Sequence, residues 1–286
     1  MNVHANEFRV TTMARVFLVS TSGYYQWKLN RTKAQKTCQL DVIVQADFKE
    51  NKSRYGYRRV RESLFQKGFK RNAKTIHKSM RRQNLCARIR RRHVKTTDSN
   101  HGLPVYENIL ARNFTASRRN QKWVGDITYL WTCSGWIYLS VFIDLLSRKI
   151  VGWAMSEKID ADLACKSLEE ALIREGYPKG VIVHTDRGST YCSHKYRSLL
   201  AKYELKGSMS RKGNCWDNAV PESFFSSLKS ELKESDRFEN QEEAYRLIFE
   251  YIEIWYNQQR LHSTLGYLSP VEYEKRASLL NQLVRF

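Results

Sequence analysis

The sequence predicts a helical region followed by an α/β domain that contains a mixed sheet of five strands. Up to residue 95 the apolar residues recur at helical spacing, whereas from Trp123 onward they form short runs rich in β-branched and aromatic residues. Three such runs follow one another directly, and the later ones alternate with helical segments. That order indicates a mixed sheet with helices on both faces.

Basic residues are concentrated in the first part of the chain. The 286 residues include 49 Lys and Arg against 29 Asp and Glu, which gives a net charge of +20. Residues 1–120 hold 27 basic and 7 acidic side chains, and residues 121–286 hold 22 of each. This excess suggests that the first part binds a polyanion. The length allows two or three domains.

Cysteine usage and hydropathy argue against a secreted or membrane protein. The six cysteines are at least 23 positions apart, and none has a His or a second Cys at the spacing of a zinc site. The longest apolar run, IYLSVFIDLL, has about half the ~20 residues that span a membrane. The N-terminus lacks a signal-peptide pattern. We expect free thiols and a cytoplasmic protein without a membrane partner.

Residues 1–50 predict helices separated by short breaks. The stretch TTMARVFLVSTSGYYQW (residues 11–27) is typical of two short helices, with Thr12 capping the first and residues 20–23 forming the turn. This pair would make a small helix-turn-helix. The stretch LNRTKAQKTCQ is expected to be a polar linker, and a further helix follows from Leu40.

Residues 51–95 predict a second, strongly basic helix-turn-helix. Val60, Leu64 and Phe65 indicate one helix, a turn follows at KGFKRN, and Asn72 caps the next helix. Within residues 52–95 there are 17 Lys or Arg and a single acid. The motif is therefore expected to bind DNA.

The second helix of this motif would bury Ile76 and Met80 and turn its cations outward, as a helix lying against DNA does. A solvated basic face would explain a few of these cations but not the run RIRRRH (residues 88–93) that follows. We expect contacts with DNA from Arg58, Arg59, Lys74, Lys78, Arg81, Arg82, Arg90, Arg91 and Arg92.

Residues 96–121 have the composition of an interdomain linker, and residues 122–286 form the predicted α/β domain with a C-terminal helical extension. The runs WVGDITYLWT, GWIYLSVFID and RKIVGWAM predict three strands joined by hairpins. The elements that follow are expected in the order helix (DADLACKSLEEALIREG), strand (GVIVHTD), helix (HKYRSLLAKYE), strand (LKGSMS) and helix (DNAVPESFFSSLKSELK).

Two aspartates stand out on the predicted strands. Asp126 interrupts the first strand, where an Asp is disfavoured and a buried unpaired charge is costly. Asp186 directly follows the strand VIVHT, at the carboxyl end where open α/β sheets bind ligands. A turn-forming role would explain Asp186 equally well, because RGS follows it.

Helical phase separates the acids of DNAVPESFFSSLKSELKE. At about 100° per residue, Glu222 lies opposite the apolar face and has no basic residue three or four positions away. Lys229 shares its side about 10 Å along the axis. Asp217 or Asn218 is expected to cap the helix. Glu231 and Glu234 are expected at the surface, and the packed face at Val220, Phe224, Phe225, Leu228 and Leu232.

Asp126, Asp186 and Glu222 indicate a function only when the three are considered together. If the two strands are neighbours and the helix packs beside them, the three carboxylates converge and repel one another. Mg²⁺ or Mn²⁺ would relieve that repulsion, because these cations prefer carboxylate oxygens. Two such ions can activate an attacking oxygen and stabilise a leaving oxygen in phosphoryl transfer.

Several motifs resemble those of the insertion-sequence-three family of bacterial transposases. They are WVGDITYL, FIDLLSRKIVGW, HTDRGSTY, NCWDNAVPESFFSSLK and YNQQRLHSTLGYLSPVEYE, with 35 residues between Asp186 and Glu222, and the similarity extends to YGYRRV and ARIRRR. The resemblance implies a ribonuclease-H-like fold, the catalytic core of retroviral integrases, and a catalytic Asp, Asp, Glu triad.

Carried over by position, the resemblance makes Asp126, Asp186 and Glu222 the catalytic and metal-binding residues, with two Mg²⁺ or Mn²⁺ ions. It implies that water attacks at the end of the element and that the freed 3′ hydroxyl attacks a second phosphodiester. Lys229 and Arg187 are expected to contact DNA. Other motif positions would have supporting roles, namely Tyr191, Asn218, Tyr256, Asn257, Arg260 and His262.

Two motif residues have alternative structural explanations. For Asp144, in the motif DLLSR, a role in the hairpin turn is the preferred interpretation. For His262, the alternative is a hydrogen-bonded histidine that ties the last helix to the core.

The resemblance also implies partners. Members of this family act on the terminal repeats of their element and on target DNA, and we expect a homo-oligomer on DNA, in the bacterial nucleoid. Many are fusions of two reading frames. This chain resembles the second frame, and the first-frame product is a further expected partner. The alternatives are a nuclease that releases nicked DNA, and a DNA-binding regulator or inhibitor of the full-length fusion without catalysis.

Overall fold

The computed structural model describes residues 1–87, 102–212, 214–232 and 238–283, without the side chains of residues 32–38, 215 and 280–283. The expected DNA contacts at Arg90, Arg91 and Arg92 lie outside these ranges, as does Glu234. The chain divides near residue 88 into two compact units. None of the described helices is long and apolar enough to cross a bilayer.

The first unit is helical. Its elements are α1 (Val10–Val16), α2 (Thr21–Glu50), α3 (Tyr57–Gln66) and α4 (Ala73–Arg82). Ser20 accepts a hydrogen bond from the Gly23 amide and caps α2, as the predicted break requires. The predicted cap at Thr12 is wrong, because α1 begins at Val10 after Arg9.

The stretch LNRTKAQKTCQ is helical, so the predicted polar linker within the first 50 residues is wrong. It forms the middle of α2, which continues for 30 residues without interruption. Lys, Gln, Ala and Arg are good helix formers, and the stretch contains neither Gly nor Pro. Polarity had suggested a linker, but nothing in the backbone breaks the helix.

Helices α3 and α4 form the predicted second helix-turn-helix. The Asn72 side chain accepts from the Lys74 amide at 2.9 Å and caps α4. Ile76 and Met80 are buried, as the spacing predicted, together with the apolar residues Val60 and Leu64 of α3. Phe65 is 43% exposed, because it lies beside the buried face of α3 rather than on it.

The second unit is built on a five-stranded sheet in the order β3-β2-β1-β4-β5. The strands are β1 (Lys122–Thr132), β2 (Gly135–Asp144), β3 (Ile150–Ser156), β4 (Ile182–Thr185) and β5 (Lys206–Met209). The first three pair antiparallel through two hairpins, and β4 and β5 run parallel to β1. The expected mixed, ribonuclease-H-like sheet is confirmed.

Helices flank this sheet. They are α5 (Ala161–Glu175), α6 (Ser189–Cys192), α7 (His194–Lys202), α8 (Ala219–Leu232), α9 (Gln241–Phe249), which continues as a π-helix (Glu250–Tyr256), and α10 (Pro270–Leu283). Helix α5 packs closely on β3, where a side chain at Gly152 would meet the Ser167 carbonyl oxygen. Helix α8 packs against β1 and β2.

Residues 102–121 of the second unit lack helices and strands but pack against its sheet. The Tyr106 ring covers Gly207 of β5, where a Cβ atom would lie 2.6 Å from the ring. The amides of Ile109 and Leu110 donate to Ser208 Oγ at 3.0 and 3.2 Å. This part of the segment expected to be a linker therefore covers the edge strand of the sheet.

Candidate active site

The strand register brings Asp126 and Asp186 to the same level of two neighbouring strands. Strands β1 and β4 are parallel neighbours in which Val124 pairs with His184. Asp126 and Asp186 each lie two residues beyond that pair. Because neighbouring strands are about 4.8 Å apart, two side chains at the same level of the ladder interact directly.

The carboxyl group of Asp126 is poorly compensated. It accepts a hydrogen bond from the adjacent Ile127 amide at 2.9 Å. Burial raises the pKa of Asp126 well above its ordinary value, and the negative charges of Asp186 and Glu222 raise it further. The Ile127 amide and the Lys229 ammonium act in the opposite direction but do not reverse the shift. The charges of Asp186 and Glu222 therefore both act on Asp126.

Asp186 is held by the turn that follows β4. Its Oδ1 accepts from the Gly188 amide at 2.9 Å, and a Cβ atom at Gly188 would lie 3.1 Å from the same oxygen. Tyr191, on α6, is fully buried, and the charges of Asp126 and Asp186 help to raise its pKa. The Arg187 Nε donates to the Ser210 carbonyl oxygen at 2.6 Å, which ties this turn to the end of β5.

Glu222 lies on the first turn of α8 and is exposed. The predicted packed face is confirmed at Phe224, Phe225 and Leu228, all of which are buried. The helix therefore presents Glu222 on the side away from its apolar anchor. That side is not wholly solvated, because Ser226, one turn after Glu222, is also buried.

Lys229 connects α8 to the strand that carries Asp126. Its Nζ lies 4.4 Å from the centre of the Tyr129 ring, within the range of a cation–π interaction. Burial lowers the pKa of Lys229 to about 8, against the attraction of Asp126, which raises it. The Lys229 side chain therefore reaches β1, the strand that carries Asp126.

The chemistry of the three acids fits a divalent cation, because a positive charge would offset the repulsion that raises the pKa of Asp126. Across the described ranges, no three His, Cys, Asp or Glu side chains are grouped closely enough to ligate one ion as they stand. Electrostatic coupling, rather than a closed ligand cage, is the feature that links Asp126 to Asp186 and Glu222.

The environment of Asp217 differs from the one expected for a residue that caps a helix. It lies in a 3₁₀ turn (Cys215–Asn218) before α8 and is fully buried. Its carboxylate accepts from Arg211, Arg112 and Asn108 at 2.9 to 3.0 Å. The hydrogen bonds and charge of Arg211, with those of Arg112, lower the pKa of Asp217 strongly. The predicted capping role of Asp217 is wrong, because these hydrogen bonds occupy both oxygens of its carboxylate.

Glu231 is also buried, so its predicted surface position is wrong. Arg260 donates to both of its oxygens, with the shortest distance at 2.7 Å. The Tyr251 hydroxyl and the Trp255 indole N–H donate at 3.0 and 3.2 Å. Arg260, expected to have a supporting role, therefore anchors α8 through a buried ion pair with Glu231.

Two further motif residues, Asn257 and His262, make contacts within the protein core. The Asn257 amide pairs with the Ile150 backbone at 2.9 and 3.1 Å. His262 is buried and packs edge-on to the Tyr256 ring, with ring centres 4.9 Å apart. Asn218 is buried four residues before Glu222.

Asp144 fits the predicted hairpin role. It accepts from the amides of Leu146 and Ser147, at 2.9 and 3.1 Å, in the turn between β2 and β3. The Asn120 amide donates to its other oxygen at 2.9 Å. These bonds occupy both oxygens of a fully buried carboxylate.

In the first unit the predicted DNA contacts differ in exposure. Arg58, Lys74, Lys78 and Arg81 are exposed and Arg59 is partly buried. Arg82 is exposed too, but it forms an ion pair with Asp41 at 2.6 Å. A basic surface is therefore present on α3 and α4, with one of its cations engaged within the unit.

Sequence reasoning missed Tyr129, Arg112 and Arg211. Tyr129 could have been identified, because it lies three positions after Asp126 in an aromatic strand. Arg112 contacts Asp217 across 105 positions, and no local pattern indicates such a pair.

Comparison with known protein families gives three matches. Residues 116–215 and residues 222–277 each match a family model described as an integrase core domain. Residues 36–93 match a model described as an HTH-like domain. The matches to integrase models cover the sheet, the three acids and the C-terminal helices.

Similar proteins extend over nearly the whole chain. The chain is 46% identical over 277 residues, 96% of either protein, to "Transposase InsF for insertion sequence IS3A" of Escherichia coli (strain K12). It is 40% identical over 266 residues to "Insertion element IS600 uncharacterized 31 kDa protein" of Shigella sonnei, covering 92% of this chain and 98% of that protein. Among solved structures, the HTLV-2 integrase catalytic core domain in complex with magnesium aligns with 14% identity and a TM-score of 0.43, over 56% of this chain and 99% of that one.

Proposed function

The chain belongs to the insertion-sequence-three family of DDE-type transposases, and on that premise we propose that Asp126, Asp186 and Glu222 catalyse its cleavage and joining of DNA. The observation that carries the assignment is the β1–β4 register, which puts Asp126 and Asp186 at the same level of the sheet, with α8, which carries Glu222, packed against β1. Asp144, the other acid of the sheet that the sequence singled out, is instead occupied by three backbone amides.

The same three carboxylates would hold two Mg²⁺ or Mn²⁺ ions. Such ions supply Lewis-acid stabilisation of the attacking and leaving oxygens of a phosphodiester. The β1–β4 register holds two of the carboxylates together, and α8 brings the third. Water attacks the phosphodiester at the element end, and the freed 3′ hydroxyl then attacks a second phosphodiester in target DNA.

DNA is bound by both units. Helices α3 and α4 present exposed cations that suit phosphate contacts, and the integrase-like unit adds Lys229 and Arg187 near the carboxylates. Strand transfer at two element ends requires a homo-oligomer on DNA. The first-frame product is a further partner, and the protein acts in the nucleoid.

A strand-transfer assay with labelled element ends, target DNA and Mg²⁺ tests this proposal. Asp126→Asn, Asp186→Asn and Glu222→Gln should each abolish joined and cleaved products while leaving DNA binding intact. Glu157→Gln, at an exposed acid directly after β3, is the control. Joining that survives Asp126→Asn or Glu222→Gln would overturn the assignment. Cleavage without joining by the unaltered chain would indicate a nuclease, and binding alone a regulator.

A further inference from the structure

We propose that Asp217 is a positioning residue that fixes the start of α8 to the end of β4 and thereby places Glu222 beside Asp186. The inference rests on the proposed function, since it concerns the placement of Glu222 in that site. Asp217 acts through the backbone and through its cation partners, and it is not one of the reacting groups.

The side chain of Asp217 joins two segments of the second unit. Arg112 and Asn108 come from the irregular segment before β1, and Arg211 comes from the loop after β5. Arg112 also donates to Asn214 Oδ1 at 3.0 Å, so one guanidinium holds two positions of the same loop. A buried carboxylate with this many charge-assisted bonds fixes the loop strongly.

The backbone of Asp217 is tied to β4. The Nε2 of His184 lies 3.1 Å from the Asp217 carbonyl oxygen, and its Nδ1 lies 2.9 Å from Ser208 Oγ. Because Ser208 Oγ already accepts from two backbone amides, its proton is donated to His184 Nδ1. The Nε2–H of His184 therefore donates to the Asp217 carbonyl at 3.1 Å, and it is shared with Ser210 Oγ at 3.2 Å, whose own proton goes to the Thr185 carbonyl.

The contact between His184 and Asp217 lies close in sequence to two of the proposed catalytic acids. His184 lies two residues before Asp186, and Asp217 lies five residues before Glu222. The 3₁₀ turn passes directly into α8, whose Pro221 is buried in the first turn. With no Gly between Asp217 and Glu222, a shift of the turn moves Glu222 with it. Displacements of about 1 Å cost on the order of a hundredfold in rate in well-oriented sites.

The experiment compares Asp217→Asn with a matched control in the full-length chain. Glu175 is also a buried carboxylate held by two partly exposed cations, Arg119 at 2.6 Å and Lys149 at 3.2 Å, but it lies at the end of α5. Free Mn²⁺ is measured by electron paramagnetic resonance during titration of each protein, and strand transfer is measured against Mg²⁺ concentration. Thermal unfolding shows the stability that each variant loses.

We expect Asp217→Asn to weaken Mn²⁺ binding about tenfold or more, the range found when groups that orient metal ligands are lost. Glu175→Gln should lower stability and leave the Mn²⁺ affinity unchanged. Arg112→Gln keeps the second cation, so it provides a folded variant if Asp217→Asn unfolds, and it should weaken Mn²⁺ binding by a smaller factor.

Two results would count against the two proposals separately. If Glu222→Gln weakens Mn²⁺ binding while Asp217→Asn and Arg112→Gln behave like Glu175→Gln, the positioning role is wrong and the proposed function stands. If Glu222→Gln itself leaves Mn²⁺ binding and joining unchanged, the catalytic assignment of Glu222 fails first.

Discussion

Two aspartates of the second unit show how environment assigns a role to one residue type. Asp217 is surrounded by cations, and its pKa is lowered chiefly by its hydrogen bonds with Arg211. Asp126 is partly buried, and its desolvation together with the charges of Asp186 and Glu222 raises its pKa. The charge of Asp217 is thus satisfied within the protein, whereas the charge of Asp126 is not. A carboxylate whose ionisation is unfavourable in the protein alone is suited to bind a cation.

Asp126→Asn should stabilise the metal-free protein at neutral pH. The folded pKa of Asp126 lies above the unfolded value of about 4, so its contribution to stability is present below pH 4 and lost as pH rises through the folded pKa. Removing the charge restores that contribution at pH 7. Urea unfolding in EDTA at pH 7 and at pH 4 checks this. A variant that is less stable than the unaltered chain at pH 7 would contradict it.

Asp217→Asn should have the opposite effect and the opposite pH dependence. Its folded pKa is lowered, so its contribution is present above the unfolded value of about 4 and is lost as pH falls through the folded pKa. The variant should therefore be less stable than the unaltered chain at pH 7, and the two should converge in acid. A stability difference that stays constant from pH 7 down to pH 2 would show that the lost charge is not the cause.

At the scale of the element, α8 shows what sequence can and cannot predict. Helical phase correctly placed Phe224 and Leu228 in the core and Glu222 on the other side, because both depend on residues of the helix itself. It failed for Asp217 and Glu231, whose partners lie elsewhere in the chain. Local pattern reports the amphipathic face of a helix, whereas a buried ion pair depends on tertiary packing.

The Arg260–Glu231 pair should be a main anchor of α8. Arg260→Met leaves a buried carboxylate without its cation, which typically costs about 3 to 5 kcal/mol in the free energy of unfolding. Adding Glu231→Leu removes that charge as well, so the double variant should be more stable than Arg260→Met alone. Urea unfolding of the two single variants and the double variant measures the coupling. Additive losses would show that the two groups do not act as a pair.

The whole molecule combines a strongly basic first part, residues 1–120, with residues 121–286, in which 22 basic and 22 acidic side chains balance. The net excess of +20 lies in residues 1–120, so electrostatic attraction to DNA acts mainly on the part that contains the helix-turn-helix. Composition predicted this division. It could not predict which cations face outward, because that depends on pairs such as Arg82 with Asp41, which are 41 positions apart.

Arg81 and Arg82 offer a matched test of the DNA-binding surface, since they are adjacent and exposed at the end of α4. Arg81 forms no ion pair among the residues described, whereas Arg82 bonds Asp41 at 2.6 Å. Arg81→Gln in the full chain should weaken DNA binding and reduce the slope of log K against log salt by about 1, as loss of one phosphate contact does. Arg82→Gln should change that slope less but lower the melting temperature, because Asp41 loses its partner. Equal changes of slope would mean that Arg82 dissociates from Asp41 when DNA binds. An unchanged slope for Arg81→Gln would indicate that DNA binds to another face of the first unit.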